Sequence, residues 1–240
     1  MTFDIVTLTD PKSPQAEAYR TLRTNIQFSA VENQLKTLLV TSSQKSEGKS
    51  TTVCNLGVAF AQVEKKVLII DCDLRRPKIH RYFELSNTCG LSNYLTSGIE
   101  VESVIFSTKE GVDVIPSGTI PPNPAELLNS SKFKQTLEQL KDNYDMIILD
   151  SPPIGLVTDS GVIANKVDGT LFIVKSHHID QHLAMQSMKL LNNAGAKVIG
   201  TVLASVPVDN KGYYGYQRYS YEKERIRFKR KKRGRKDKSN

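Results

Sequence analysis

The segment TSSQKSEGKST (41–51) follows an apolar run and opens a helical pattern, the setting in which a glycine–lysine–hydroxyl triplet cradles phosphate. Gly48 lets the main chain approach a phosphate closely, Lys49 would reach the β- and γ-phosphates, and Ser50 would place its hydroxyl on Mg2+. Glu47 and Thr51 complete the candidate ATP-binding run. A helix start adds roughly half a positive charge and free N–H donors. In GxxxxGK[ST] the first glycine falls on Ser43, so one position departs from the strict pattern.

Carboxylates recur at the ends of other apolar runs. VLIIDCDLR puts Asp71 and Asp73 two residues apart, hence on one side of a strand as it leaves a sheet. MIILD puts Asp150 at a strand tip, the usual station of a carboxylate that holds Mg2+ through water. Any one of the three could equally be a cap or turn residue. Clustered beside a phosphate loop they are better explained by a metal: Ser50, Asp71 and Asp150 are the expected Mg2+ set. Lys49, Asp71 and Asp73 are the expected catalytic groups. A carboxylate near pKa ~3.9 is a weak base toward a phenol near ~10. Phosphoryl transfer is largely dissociative, so an orienting carboxylate that accepts the proton late is enough.

These residues need a sheet to position them. LKTLLVTSS (35–43), KVLIIDCD (66–73), DMIILDSPP (145–153) and GTLFIVKS (169–176) read as parallel strands buried on both faces. GVDVIPSG (111–118) and KVIGTVLASVPV (197–208) are two more. Helical patterns over 48–63, 125–142 and 179–194 alternate with them. The expectation is an α/β fold: a P-loop NTPase-type open, mostly parallel sheet with helices on both faces. The ligand then belongs outside the carboxyl ends of the strands. Residues 13–30 read as a further helix with Ser13 as N-cap and Pro14 in its first turn. The expected divisions are an N-terminal segment (1–34), a core (35–208) and a disordered extension (209–240).

Composition narrows the function. Of 240 residues 39% are hydrophobic and 24% charged, a globular balance that excludes wholesale disorder. No apolar run reaches the ~18–20 residues of a membrane span, and no leader pattern opens the chain, which points to a cytoplasmic protein. Cys54, Cys72 and Cys89 form no CxxC pair, against a disulfide scaffold or zinc. Residues 222–240 hold 11 of the 33 Lys and Arg and 3 of the 25 Asp and Glu, so residues 1–221 carry 22 of each sign. The body is neutral, and no nucleic-acid partner is expected of it. NKVD (165–168) imitates a guanine-reading motif but precedes a strand where that motif follows one. HHIDQH (177–182) lacks the glutamate of a zinc protease and reads as a solvated helix start. For Arg75, Arg76 and Lys78, after the second acidic motif, the sequence does not choose between nucleotide, substrate and a neighbouring protomer.

Taken together, SEGKST, LIIDCDLR, IILDSPP and a tyrosine-rich end resemble the bacterial tyrosine kinases of capsule and exopolysaccharide assembly, over about residues 15–221. EAYRTLRTNI is similar to that family's E-x-x-R-x-x-R helix, with Glu17, Arg20 and Arg23 in register, and SGTIPPNPAELL to its PNPxELL segment. The resemblance implies autophosphorylation in trans, a homo-oligomeric ring formed through Glu17, Arg20 and Arg23, and protein substrates in polysaccharide synthesis. It also implies a transmembrane polysaccharide co-polymerase adaptor that activates the kinase and holds it at the inner face of the membrane. Two departures stand out: Lys45 and Ser46 replace the Pro and Gly of the family loop, and Ala204 stands where relatives often carry Asn near the base. A left-handed Ser46 would be strained by about a kcal/mol or more.

Tyr213, Tyr214, Tyr216, Tyr219 and Tyr221 crowd into nine positions among Gly, Gln, Ser, Lys and Arg, which offer no apolar face to bury them. They are the expected phosphoacceptors. Four or five phosphates would bring roughly −6 to −10 of charge, enough to cancel the +8 of the basic run beside them and loosen its hold on an anionic membrane. The rival function is a positioning or partitioning ATPase of the deviant P-loop class, a nucleotide-switched binding module. That class has a lysine five residues before the P-loop lysine, where this chain has Gln44.

Overall fold

The computed structural model describes residues 3–29, 35–176 and 180–207. The five tyrosines of positions 213–221 and the basic run lie outside them. The chain divides into two units, Met1–Ser205 and Val206–Asn240, and every helix and strand described belongs to the first.

The sheet has seven strands in the order β3-β4-β2-β5-β1-β6-β7. They are β1 (Thr37–Ser42), β2 (Val67–Asp71), β3 (Phe106–Ser107), β4 (Asp113–Ile115), β5 (Met146–Asp150), β6 (Gly169–Lys175) and β7 (Val198–Ala204). All pairs are parallel except β3 with β4, where Phe106 faces Val114. The six strands expected from the sequence are present. The two-residue β3 is too short to show a period.

Every residue of β1, β2 and β5 is buried, because helices cover both faces. Alternation along β1 shows the division. Leu39 packs with Leu68, Ile147, Phe133 and Leu137 on one face. Leu38 and Val40 pack with Ile69, Ile148, Val53 and Phe60 on the other. The first face is closed by α5 (Leu91–Thr96), α6 (Pro124–Asn129), α7 (Ser131–Asn143), α8 (Asp159–Ala164) and α9 (Gln181–Asn193). The second is closed by α2 (Pro14–Ser29) and α3 (Lys49–Ala61), with the short α1 (Val6–Thr9) and α4 (Ile79–Tyr82) at its margin. The expected N-cap of α2 is present: Ser13 Oγ accepts the Ala16 N–H at 3.2 Å.

The single helix expected over 125–142 is two. Ser130 has φ −62° and ψ 152°, which ends α6, and its hydroxyl accepts the Phe133 N–H to start α7. The signal was Ser130 two residues after Leu128 in NSSKF, an N-cap placed inside an unbroken apolar period.

The strands' entry end is held by Asp168. Its Oδ2 accepts the N–H of Lys36 at 3.0 Å, and the N–H and hydroxyl of Thr37 at 2.8 Å each. Lys141 pairs with it at 3.3 Å. This is the far end of β1 from the phosphate loop, so the likeness of NKVD to a guanine-reading motif is chance, as its position before a strand implied, and its Asp168 latches the strand ends instead. Burial alone would raise the Asp168 pKa, but Thr37 and Lys141 more than offset it and the pKa lies below the ordinary carboxylate value. Stability from a lowered carboxylate is present above its unfolded pKa and lost as pH falls through the folded one. Asp168→Ala should therefore lower stability by about 2–3 kcal/mol at pH 7, with the deficit shrinking below pH 4, as urea unfolding at the two pH values would show.

Among the described residues no helix is long and apolar enough to cross a membrane.

Candidate active site

β1 stands between β5 and β6, so the loop leaving its carboxyl end opens at the crevice where the sheet's connections diverge. That loop turns into α3 at Gly48, the N-cap, whose φ of +97° is left-handed. A Cβ there would be strained and would meet the Ala204 Cβ at 3.4 Å. The first bond of the α3 ladder runs from the Thr52 N–H to the Gly48 carbonyl at 2.8 Å. The N–H groups of Lys49, Ser50 and Thr51 therefore precede the ladder, and no side chain caps them. This is an anion-binding helix end.

Glu47 serves the loop from within. It is buried, and its carboxylate accepts the Gln44 N–H at 2.7 Å and the Ser43 hydroxyl at 3.1 Å. Thr51 also turns away from the loop, its hydroxyl 2.7 Å from that of Tyr82 in α4. Burial pushes the Tyr82 phenol up to about 12, against the pull of this hydrogen bond, so it stays neutral.

Ser46 has φ +63°, the left-handed conformation that glycine adopts without cost. Ser46→Gly relieves that strain, at the expense of a looser unfolded chain. The expected net gain is roughly 0.5–1 kcal/mol, read as a rise in denaturation midpoint with unchanged m.

The three carboxylates come together, but not in equivalent roles. Asp71 and Asp150 are register partners on neighbouring strands, both fully buried. Asp150 Oδ2 accepts the Ser50 hydroxyl at 2.5 Å, whereas its Oδ1 is buried with no hydrogen-bond partner. Asp71 faces the loop behind it: Oδ2 accepts the N–H groups of Lys78 and Ile79 at 3.0 Å each, and Oδ1 that of Asp73 at 3.2 Å. It thereby holds the start of α4, the capping role open to any strand-end aspartate. Asp73 is half-buried, and its Oδ1 accepts the Arg76 N–H at 3.0 Å.

Burial sets the electrostatics. It raises the Asp71 pKa well above the ordinary value, with Asp150 adding repulsion and the backbone donors opposing. Burial likewise raises Asp150 to about 6, against the pull of Lys49 and the Ser50 hydrogen bond. Lys49 is pushed down by its own burial despite the attraction of Asp150 and Asp73. Two carboxylates and one ammonium at a helix N-terminus leave the carboxylates under-compensated. A divalent cation supplies what is missing, and the unpartnered Asp150 Oδ1 is an atom for it to meet. Mg2+ keeps waters and shares its protein ligands with phosphates, so Ser50 and Asp150 fit it without a third side chain.

Arg75 lay beyond what the sequence could assign. Its Nε and Nη2 donate to Asp159 Oδ2 and Oδ1 at 2.8 and 3.1 Å. Asp159 opens α8, 84 positions further along. Nothing in the sequence links the two, since a pair this distant has no period or spacing.

The expected oligomerisation residues have partners within the chain. Arg20 pairs with Glu17 at 2.8 Å along α2 and also donates to the Pro11 carbonyl. Arg23 Nη1 donates at 2.9 Å to the Ala59 carbonyl near the end of α3, where a cation also opposes the helix dipole.

Comparison with known proteins agrees with this geometry. The AAA domain family matches residues 35–198. Tyrosine-protein kinase YwqD of Bacillus subtilis (strain 168) is 40% identical over 214 residues, covering 89% of this chain and 90% of that protein. The kinase domain of Escherichia coli tyrosine kinase ETK is 35% identical with a TM-score of 0.83, over 87% of this chain and 82% of that one. The chimerical protein CapA2B2 is 36% identical with a TM-score of 0.82, over 85% and 90% respectively. With its P-loop, its two acidic strand ends and this extent of shared sequence and fold, the chain belongs to the bacterial tyrosine-protein kinase family.

Proposed function

We propose that this chain is an ATP-dependent protein-tyrosine kinase that phosphorylates its own C-terminal tyrosines, Tyr213, Tyr214, Tyr216, Tyr219 and Tyr221, in trans. The observation that carries the reading is the Ser50–Asp150 hydrogen bond with the second Asp150 oxygen left buried and unpartnered, at the mouth of an uncapped helix. Kinship with proteins named as tyrosine kinases favours transfer to a phenol over a nucleotide-switched binding module.

In this reading the N–H groups that open α3 and the Lys49 ammonium hold the phosphates of ATP. Ser50 and Asp150 would hold Mg2+, which when bound neutralises charge on the phosphates. Asp71 adds negative charge behind them and keeps α4 in place. Asp73, half-buried at the edge, orients the incoming phenol and takes its proton late. Resemblance to the family supports three further elements: a ring assembled through α2, an activating transmembrane adaptor, and a role in capsule or exopolysaccharide synthesis.

Mixing two forms of the protein tests transfer and its direction. The Lys49→Met full chain supplies the tyrosines, and an active chain ending at 207 supplies the site, both with ATP·Mg and a co-expressed adaptor. Phosphotyrosine on the Lys49→Met chain, mapped to 213–221 by mass spectrometry, is the expected result. Label absent from that mixture but present on the intact active chain would mean transfer in cis. Label on neither would leave a nucleotide binder.

A further inference from the structure

The loop from β2 to α4 carries Asp73, and its course decides where that carboxylate stands. Asp71 and Asp73 organise the loop internally by accepting the N–H groups of Lys78, Ile79 and Arg76. The Cys72 N–H donates to the Asp150 carbonyl at 2.8 Å and Leu74 is buried in the core; beyond them, Arg75 attaches the loop through its two parallel hydrogen bonds to Asp159. The Asp159 side chain is 0% exposed, whereas that of Arg75 is 42% exposed. Asp159 in turn begins α8, at the end of the segment that leaves Asp150. That segment is itself seated on the phosphate loop: a Cβ at Gly155 would lie 2.5 Å from the Ser43 carbonyl oxygen.

We propose that Arg75 and Asp159 form a positioning pair for phosphoryl transfer, a reading that rests on the kinase function above. The pair ties the segment after β2 to the segment after β5 across the mouth of the site, and so sets Asp73 against the Ser50–Asp150 pair. Two bonds from a planar guanidinium fix direction as well as distance, which a lysine ammonium cannot do. The pair compensates the fully buried Asp159 carboxylate while the Arg75 side chain stays partly exposed. Its bearing on transfer lies in what it holds in place, since a displacement of about 1 Å can cost ~100-fold in rate.

The test uses the full chain with ATP·Mg and the co-expressed adaptor, and compares the parent with Arg75→Lys, Asp159→Asn and the double variant. Initial rates of phosphotyrosine formation give the saturating rate and the KM for ATP, and a fluorescent ATP analogue gives nucleotide affinity. Each single change should lower the saturating rate about tenfold or more, with KM and affinity within about twofold. The double variant should be no slower than the slower single, because the pair acts as a unit. Should Asp159→Asn not fold, the apolar pair Arg75→Met with Asp159→Leu is expected to fold and to remain slow. Unchanged saturating rates, fully additive losses, or losses that appear only in KM overturn the proposal. A parent without transfer overturns the kinase reading as well, whereas an active parent with fast variants overturns this one alone.

Discussion

Lys49→Met is expected to reduce phosphotyrosine formation by about 10³-fold, or roughly 4 kcal/mol of transition-state stabilisation. The size follows from where the ammonium sits. Lys49 is 7% exposed, in the first turn of α3, where burial depresses its pKa and the carboxylates of Asp150 and Asp73 keep it charged. A cation removed from water acts on phosphate oxygens with far less screening than one at the surface. Methionine is close in length, so the loop keeps its course while the charge disappears. A radiolabelled-ATP assay beside a circular-dichroism melt would separate chemistry from folding. Retention of more than a tenth of the parent rate in a folded variant would remove Lys49 from the catalytic set.

Asp150→Asn should show the opposite signs in activity and stability. Activity should fall by at least ~100-fold, because the atom that faces the proposed cation loses its charge. Stability of the metal-free protein should rise. Burial lifts the Asp150 pKa to about 6, from an unfolded value near ~3.9. A carboxyl group raised on folding contributes stability that is fully present below the unfolded pKa and lost as pH climbs through the folded one. By pH 8 that loss amounts to roughly 2–3 kcal/mol. The asparagine amide carries no such penalty, and its oxygen can still accept the Ser50 hydroxyl. The variant should thus melt above the parent at pH 8 and alongside it at pH 4. A variant that melts lower at pH 8 would mean that Asp150 is not under-compensated in the free protein.

Together the two variants describe a site held at a cost to the fold. Asp71 and Asp150 on adjacent strands are both fully buried and repel each other, with buried Lys49 attracting Asp150. This arrangement is intelligible if phosphates and a divalent cation complete it.

How much of this was legible beforehand varied with the range of the interaction. Buried parallel strands announce themselves as continuous Leu, Ile and Val runs, and six of the seven were readable, together with the fold class. The phosphate loop was readable through Gly48, Lys49 and Ser50, whose chemistry depends on consecutive positions. The strain at Ser46 was an expectation carried by the family resemblance, whose loop has Gly at that place, and the left-handed φ of Ser46 bears it out. The break at Ser130 was missed since a capping serine inside an apolar period does not interrupt that period.

The sequence by itself determined which residue types gather at the carboxyl ends of which strands. The places of the strands along the chain are written in continuous apolar runs, and a loop of consecutive residues carries its own geometry; the order of the strands in the sheet is not written there. Tertiary structure alone decided how the three aspartates divide their labour. Asp150 accepts the Ser50 hydroxyl and keeps its second oxygen buried and unpartnered, Asp71 accepts the N–H groups at the start of α4, and Asp73 stays half-buried. It also decided that Glu47 braces the loop and that Arg75 reaches Asp159. The reason is physical: a carboxylate's partner is whichever donor the fold brings within about 3 Å, and chain separation holds no information about which donor that is.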